Sequence, residues 1–263
     1  MIQPLSAGRP PTVAARGLLK NYGAVKVIRG VDLHIGAGEI VGLVGDNGAG
    51  KSTLMKMIAG DVAPSGGELV IAGNPVQAGS TSWSREHGVE MVYQDLALCD
   101  NLDICANIFL GRELVRQGWW GKVALDHEAM LGKAEDLLAT LEVSFPSLLE
   151  PVTALSGGQR QMVAIARSVA FDPRIVIMDE PTAALSVGAA APLLDLIRLL
   201  PSRGVSVMLV SHRLSDVLNT ADRIYVLRHG RVVAEVNSGT TSEGDLLHLM
   251  AGVGQASADR DSD

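Results

Sequence analysis

Gly45-Asp46-Asn47-Gly48-Ala49-Gly50-Lys51-Ser52-Thr53 is the stretch on which the reading of this chain turns. It fits G-x-x-x-x-G-K-[ST], the phosphate-binding loop pattern. Glu39-Ile40-Val41-Gly42-Leu43-Val44 before it is an apolar run, which predicts a buried strand. Leu54-Met55-Lys56-Met57-Ile58-Ala59 after it, closed by Gly60, predicts a helix with a glycine stop. The loop therefore feeds a helix N-terminus, where unpaired N–H groups and the helix dipole favour an anion. Gly45, Gly48 and Gly50 are expected to let the backbone approach phosphate oxygens without a Cβ in the way. Lys51 would neutralise β- and γ-phosphates and the Ser52 hydroxyl would hold Mg²⁺. The plain alternative is a glycine-rich turn with a surface lysine; the order strand, loop, helix counts against it.

Working outward, Val31-Asp32-Leu33-His34-Ile35 alternates apolar and polar residues, so a half-buried strand is expected, with His34 solvated on its polar face. Tyr22 is expected in the turn Lys20-Asn21-Tyr22-Gly23. Pro64-Ser65-Gly66-Gly67 turns into the strand Glu68-Leu69-Val70-Ile71, and Gly88 to Tyr93 predicts another strand ending at Gln94-Asp95. From about Leu96 to Pro151 helical periodicity takes over, as in Met130, Ala134, Leu137, Leu138 and Leu141. This predicts a helical subdomain inserted into an α/β body. Trp119-Trp120, between Gly118 and Gly121, reads as a linker pair, either half-buried or a partner contact.

Leu155-Ser156-Gly157-Gly158-Gln159 carries an N-cap serine with glutamine three residues on, a capping box. The bland reading is a capped helix start; the sharper one is a second anion site, because Gly-Gly at a helix N-terminus presents bare N–H groups. Ile175 to Met178 is a buried strand that ends in Asp179-Glu180. Neither carboxylate is buried cheaply without a partner, and a metal-bound nucleotide at the strand's carboxyl end supplies one. Val205 to Val210 runs to Ser211-His212, and Arg223–Leu227 and Arg231–Glu235 flank the turn His229-Gly230 as a hairpin. A last amphipathic helix carries Leu246, Leu247 and Met250.

The 263 residues allow one large domain or two modest ones. No apolar run approaches the ~18 residues of a membrane span, and Met1 to Pro11 lacks the apolar core of a signal peptide. A soluble cytosolic protein is expected. A net charge of −7 argues against non-specific nucleic-acid binding as the main task. Cys99 and Cys105 form neither a disulfide framework nor a metal site by themselves. The six histidines are scattered, and only His212 falls in a motif.

As an ordered set, these motifs resemble the nucleotide-binding subunits of ABC transporters, from about Val13 to Ala251. Gly45 to Ser52 is similar to Walker A, Leu155 to Gln159 to the signature motif, and Ile175 to Glu180 to Walker B with its catalytic glutamate. Gln94, His212 and Tyr22 match the Q-loop, H-loop and A-loop positions. A finer likeness is to monosaccharide importer ATPases, carried by Tyr93 to Leu96, Ala106 to Glu113, Glu180 to Leu185 and Ser211 to Leu214. The resemblance implies a P-loop NTPase cassette of the α/β class. Its parts would be a RecA-like core, an N-terminal antiparallel β subdomain and a helical subdomain at about 96–172, with a leader at 1–12 and a tail at 252–263. It implies ATP sandwiched between Gly45, Asp46, Asn47, Gly48, Ala49, Gly50, Lys51, Ser52 and Thr53 of one cassette and Ser156, Gly157, Gly158 and Gln159 of a second. Tyr22 would stack on adenine; Ser52, Gln94 and Asp179 would attend Mg²⁺; Glu180 would be the general base; His212 would contact the γ-phosphate. Expected partners are membrane permease subunits, a second cassette in a dimer and, indirectly, an extracytoplasmic sugar-binding protein, at the inner face of the plasma membrane. The departures are a single cassette where many members fuse two, and Ser186 where the D-loop often has Asp; a regulatory domain like that of disaccharide importer ATPases is not expected after the H-loop region. The other class considered, a soluble ABC ATPase acting on nucleic acid or ribosomes, usually has tandem cassettes or basic arms.

Overall fold

The structure is a computed structural model that describes residues 11–76, 80–116 and 124–252. The leader and tail expectations, and the Trp119-Trp120 pair, lie outside the described residues or largely so. Strand β1 (Val13–Tyr22) turns back into β2 (Val25–Ile35), an antiparallel hairpin longer than the alternation at Val31 to Ile35 suggested. Tyr22 is accordingly the last residue of β1, opposite Val25, and not a turn residue. Strand β3 (Ile40–Val44) is wholly buried and leads through the phosphate loop into α1 (Lys51–Ile58). This helix begins three residues earlier than the apolar run, so Lys51, Ser52 and Thr53 form its first turn. Then come β4 (Gly66–Ile71), β5 (Asn74–Pro75), α2 (Thr81–Glu86) and β6 (Val89–Val92).

The stretch that follows is helical, as its periodicity predicts: α3 (Ile104–Ile108), α4 (His127–Thr140) and α5 (Gly157–Val169). Asp103 and Asp126 cap the first two by accepting backbone N–H groups. On α4, Met130, Ala134 and Leu138 are buried, and Leu141 just after it. The α/β alternation then resumes with β7 (Ile175–Asp179), α6 (Val187–Leu199), β8 (Ser206–Val210), α7 (Leu214–Thr220), β9 (Arg223–Arg228), β10 (Arg231–Asn237) and α8 (Glu243–Ala251). On α8 only Leu246 is buried; Leu247 is exposed, so the apolar stripe there is narrower than expected.

Two sheets result. One is antiparallel, in the order β2-β1-β4-β5; the other runs β10-β9-β3-β8-β7-β6. In the second, β9, β3, β8, β7 and β6 are parallel and β10 returns antiparallel at the edge. Strand alternation divides the interior into two cores. Val41, Leu43, Ile175, Ile177, Met208 and Val210 face α1 and the antiparallel sheet. Ile40, Val44, Val176, Met178, Val207 and Leu209 face the helices. This is the RecA-like α/β architecture with an antiparallel β subdomain and an inserted helical subdomain.

The sheets are pinned by a polar cluster that no motif announced. Arg223 Nε donates to Glu39 Oε1 at 2.6 Å and Nη2 to Glu39 Oε2 at 3.1 Å; the guanidinium also pairs with Glu235. Its Nη2 reaches the His34 carbonyl at 3.1 Å, and the Tyr225 hydroxyl lies 3.2 Å from His34 Nδ1. His34 is therefore half-buried and bonded, against the expectation of a solvated residue. Burial, with Arg223 beside it, lowers its pKa.

Candidate nucleotide-binding site

The parallel order places the carboxyl ends of β3, β8, β7 and β6 side by side, with β8 between the phosphate-loop strand and the acidic strand. Ligands of open α/β sheets bind at such an edge. A cleft of about 300 Å³ opens there, lined by Asp46, Asn47, Gly48, Gly50, Lys51, Ser52 and Thr53 and by Gln94, Asp179 and Glu180. Three segments far apart in sequence thus meet as expected. Val27 of β2 also lines the cleft, and nothing in its sequence surroundings signals that.

The loop glycines divide by role. Gly45 has φ 155, and a Cβ there would stand 2.2 Å from the Leu227 carbonyl oxygen. A Cβ on Gly50 would stand 2.8 Å from Ile28 Cδ1. Both glycines are thus also demanded by the protein behind the loop, a reason that the sequence did not show. Gly48, at φ 81 with nothing within 4 Å of its missing Cβ, is the glycine that faces open space. Ala49 is buried and packs into the core with Leu54 and Met55. Lys51 lies along the loop, donating from Nζ to the Gly45 carbonyl at 2.6 Å and the Asp46 carbonyl at 3.1 Å. The first turn of α1 has Gly50 as its cap and no side-chain acceptor.

Opposite the loop, Asp179 ends β7. Burial and the neighbouring charge of Glu180 raise its pKa, against the pull of Lys51 and Lys56. A divalent cation would relieve that crowding, and the oxygens of Ser52, Asp179 and Gln94 are the hard donors that Mg²⁺ takes. Glu180 sits at φ 52, a strained setting for a non-glycine residue. Its Oε2 is 2.7 Å from His212 Nδ1 and accepts the His212 backbone N–H at 3.2 Å. His212 is thus brought to the site through Glu180, and its imidazole stays largely exposed.

Two predicted groups stand apart. Tyr22 is half exposed, lies outside the cleft lining and has Lys20 Nζ 4.9 Å from its ring centre. Ser156 to Gln159 form no part of the cleft either; Gln159 lines a separate groove with Leu141 to Ser144, just after α4, and with α6 residues. The capping box is real: Ser156 N–H donates to Gln159 Oε1 at 2.9 Å and Gln159 N–H to Ser156 Oγ at 3.3 Å. That occupies the ends of the motif, so only Gly157 and Gly158 lie outside the box. Arg213, which the sequence offered only within the Ser211 to Leu214 likeness and without a role, spans the segment after Glu180 with its guanidinium.

Fold, loop and acidic strand together define a nucleotide-hydrolysing cassette. The chain belongs to the ABC transporter family, whose model matches residues 28–183, and ATP with Mg²⁺ is what this family's phosphate loop binds. It is 42% identical over 235 residues to the xylose/arabinose import ATP-binding protein of Sulfolobus acidocaldarius, covering 89% of this chain and 92% of that one. It is 42% identical over 245 residues to the fructose import ATP-binding protein of Rhizobium meliloti, covering 92% and 94%. A ribose import ATP-binding protein of Rubrobacter xylanophilus is 40% identical, but the chain spans only 46% of its length. Among solved structures, a nucleotide-free ATP-binding cassette from an ABC transporter superposes with a TM-score of 0.77 over 92% of this chain and 96% of that one, at 24% identity, which speaks to the fold. A dimeric cassette in a post-hydrolysis state with ADP and Pi superposes at 0.72, with 26% identity, over 86% of this chain and 98% of that one.

Proposed function

We propose that this chain is the ATP-hydrolysing subunit of a simple-sugar importer, working as a head-to-tail pair of cassettes beneath a membrane permease. The observation that carries the pairing is spatial. The phosphate-loop cleft gathers Gln94, Asp179 and Glu180 but not the Gly157-Gly158 helix end, so a second cassette must bring that end. The relatives named for pentose and hexose import support the sugar assignment. No helix among the described residues is long and apolar enough to cross a membrane, so the path for the sugar belongs to partner subunits at the membrane's inner face. An extracytoplasmic sugar-binding protein would deliver to them.

In this reading Lys51 leaves the Gly45 and Asp46 carbonyls to neutralise the β- and γ-phosphates. Mg²⁺, held by Ser52 with Asp179 and Gln94, supplies charge neutralisation when bound. Glu180 takes the proton of the attacking water as general base. His212 holds that carboxylate and contacts the γ-phosphate, and Tyr22 stacks on adenine from the end of β1. Catalysis is then mostly positioning and charge stabilisation. ATP favours the closed pair and hydrolysis removes that preference, a two-state cycle able to bias a permease.

The test is affinity purification of the chain from detergent-solubilised membranes of its host. Recovery of a polytopic permease is expected. Recovery only from the soluble fraction, with ribosomes or nucleic-acid enzymes, would overturn the transport reading and leave the ATPase chemistry in place.

A further inference from the structure

Glu180 acts on ATP held by its own chain, whereas Gly157 and Gly158 serve ATP held by the second copy. Inside one chain a continuous set of contacts joins them. His212 holds Glu180 by ring and backbone, as described above. The next residue, Arg213, sends its guanidinium back across the segment that follows Glu180. Its Nη1 donates to the Thr182 carbonyl at 3.0 Å and to the Leu185 carbonyl at 3.2 Å. Its Nε stands 3.3 Å from Asp216 Oδ2, and Thr182, only 1% exposed, donates its hydroxyl to the same oxygen at 2.6 Å. Leu185 then lies over the helix end: a Cβ on Gly157 would stand 3.4 Å from Leu185 Cδ2. One turn into α6, the Ala189 carbonyl oxygen would be 3.5 Å from a Cβ on Gly158.

We infer that Arg213 is a positioning residue that ties the setting of Glu180 to that of Gly157 and Gly158 in the same chain, and so couples the two ATP sites of a pair. The inference rests on the paired-cassette reading. A planar guanidinium can bridge two carbonyls and a carboxylate at once, which a lysine ammonium cannot reproduce. The network is mostly buried, so removing one member strands the others. The left-handed setting of Glu180 persists only while its surroundings over-determine it. A shift of that carboxylate carries His212 and Arg213 with it, and Arg213 holds the backbone of the residue that packs on Gly157.

Steady-state ATP hydrolysis by the full chain, followed against ATP concentration, tests this with Arg213→Ala, Arg213→Lys and Leu185→Ala. The wild type is expected to show a Hill coefficient above one, since coupled sites differ in affinity by the coupling free energy. Arg213→Ala should lower kcat by about tenfold or more with KM within about threefold, and bring the Hill coefficient to one. Arg213→Lys keeps the charge and should fold with a single cooperative melt, at a lowered melting temperature, and still lose cooperativity in ATP. Leu185→Ala keeps both carbonyl bonds to Arg213 and should lose cooperativity with a smaller drop in kcat, so it decides the matter if Arg213→Ala fails to fold. Wild-type Hill coefficients in Arg213→Lys and Leu185→Ala, or a wild type with a coefficient of one, would overturn the coupling. A wild type with no ATP turnover would instead remove the underlying reading, and the coupling with it.

Discussion

At the start of α1 the cap is Gly50, left-handed at φ 110, and no side chain accepts from the first turn. At the start of α5 the cap is Ser156, and Ser156 and Gln159 bond each other's backbone reciprocally. Both ends are glycine-rich and both read as anion sites, yet they are finished in opposite ways. The first is left open, with only Lys51 folded along it, and opens into a cleft that already holds the acidic end of β7. The second is closed on itself, with Ser156 and Gly157 exposed and Gly158 buried beside α6. A helix start with no side-chain acceptor keeps its first N–H groups available to an anion. A capped one is stable alone and can serve as a surface offered to another molecule. The contrast is what a site split between two chains requires of a single chain.

Breaking the first region should have the largest effect. Glu180→Gln is expected to cut turnover by about 10²–10⁴-fold, the usual worth of a positioned general base, and to leave an ATP-bound pair visible by size exclusion; a fully active variant would remove Glu180 from the role. Breaking the second region should separate binding from turnover. Ser156→Arg should cost about 100-fold or more in turnover, with calorimetric ATP affinity within about threefold of wild type. Loss of both together would mean that the two helix ends are not independent.

Two smaller effects sharpen the contrast. Ser156→Ala removes a cap and should cost about 1 kcal/mol, a fall in Tm of roughly 2–4 °C for a domain of this size. An unchanged Tm would deny the box any weight in the lone chain. Asp179→Asn should act the other way. The raised pKa of Asp179 means that the folded chain favours its protonated form. That stability is full below the unfolded pKa and is lost as pH rises through the folded one. Removing the charge should therefore stabilise the nucleotide-free protein at neutral pH, with the advantage closing in acid, while Mg²⁺-dependent ATP binding weakens. Melting curves at two pH values check the sign.

The motif residues were legible because their chemistry demands fixed local spacing: the phosphate loop, the capping box and the strand ending at Asp179-Glu180 stand where periodicity and punctuation put them. What joins them was not, because it is made by residues remote in sequence. Leu227 explains why position 45 must be glycine, and Val27 reaches the cleft from the antiparallel sheet. His34 is drawn out of solvent by Arg223 and Tyr225, nearly two hundred residues away. Boundaries followed the same rule. Tyr22 looked like a turn residue from its asparagine and glycine neighbours, but pairing with β2 carries the strand through it.

The central claim is that one working ATP site takes its phosphate loop from one chain and its Gly157-Gly158 helix end from another. Mixing Lys51→Ala with Ser156→Arg tests it most directly, because the mixed pair holds one site with both parts intact. Each variant alone should be inactive, and ATP turnover should appear on mixing. Turnover by Ser156→Arg alone at the wild-type rate, or two folded, inactive variants that gain nothing when mixed, would contradict the account.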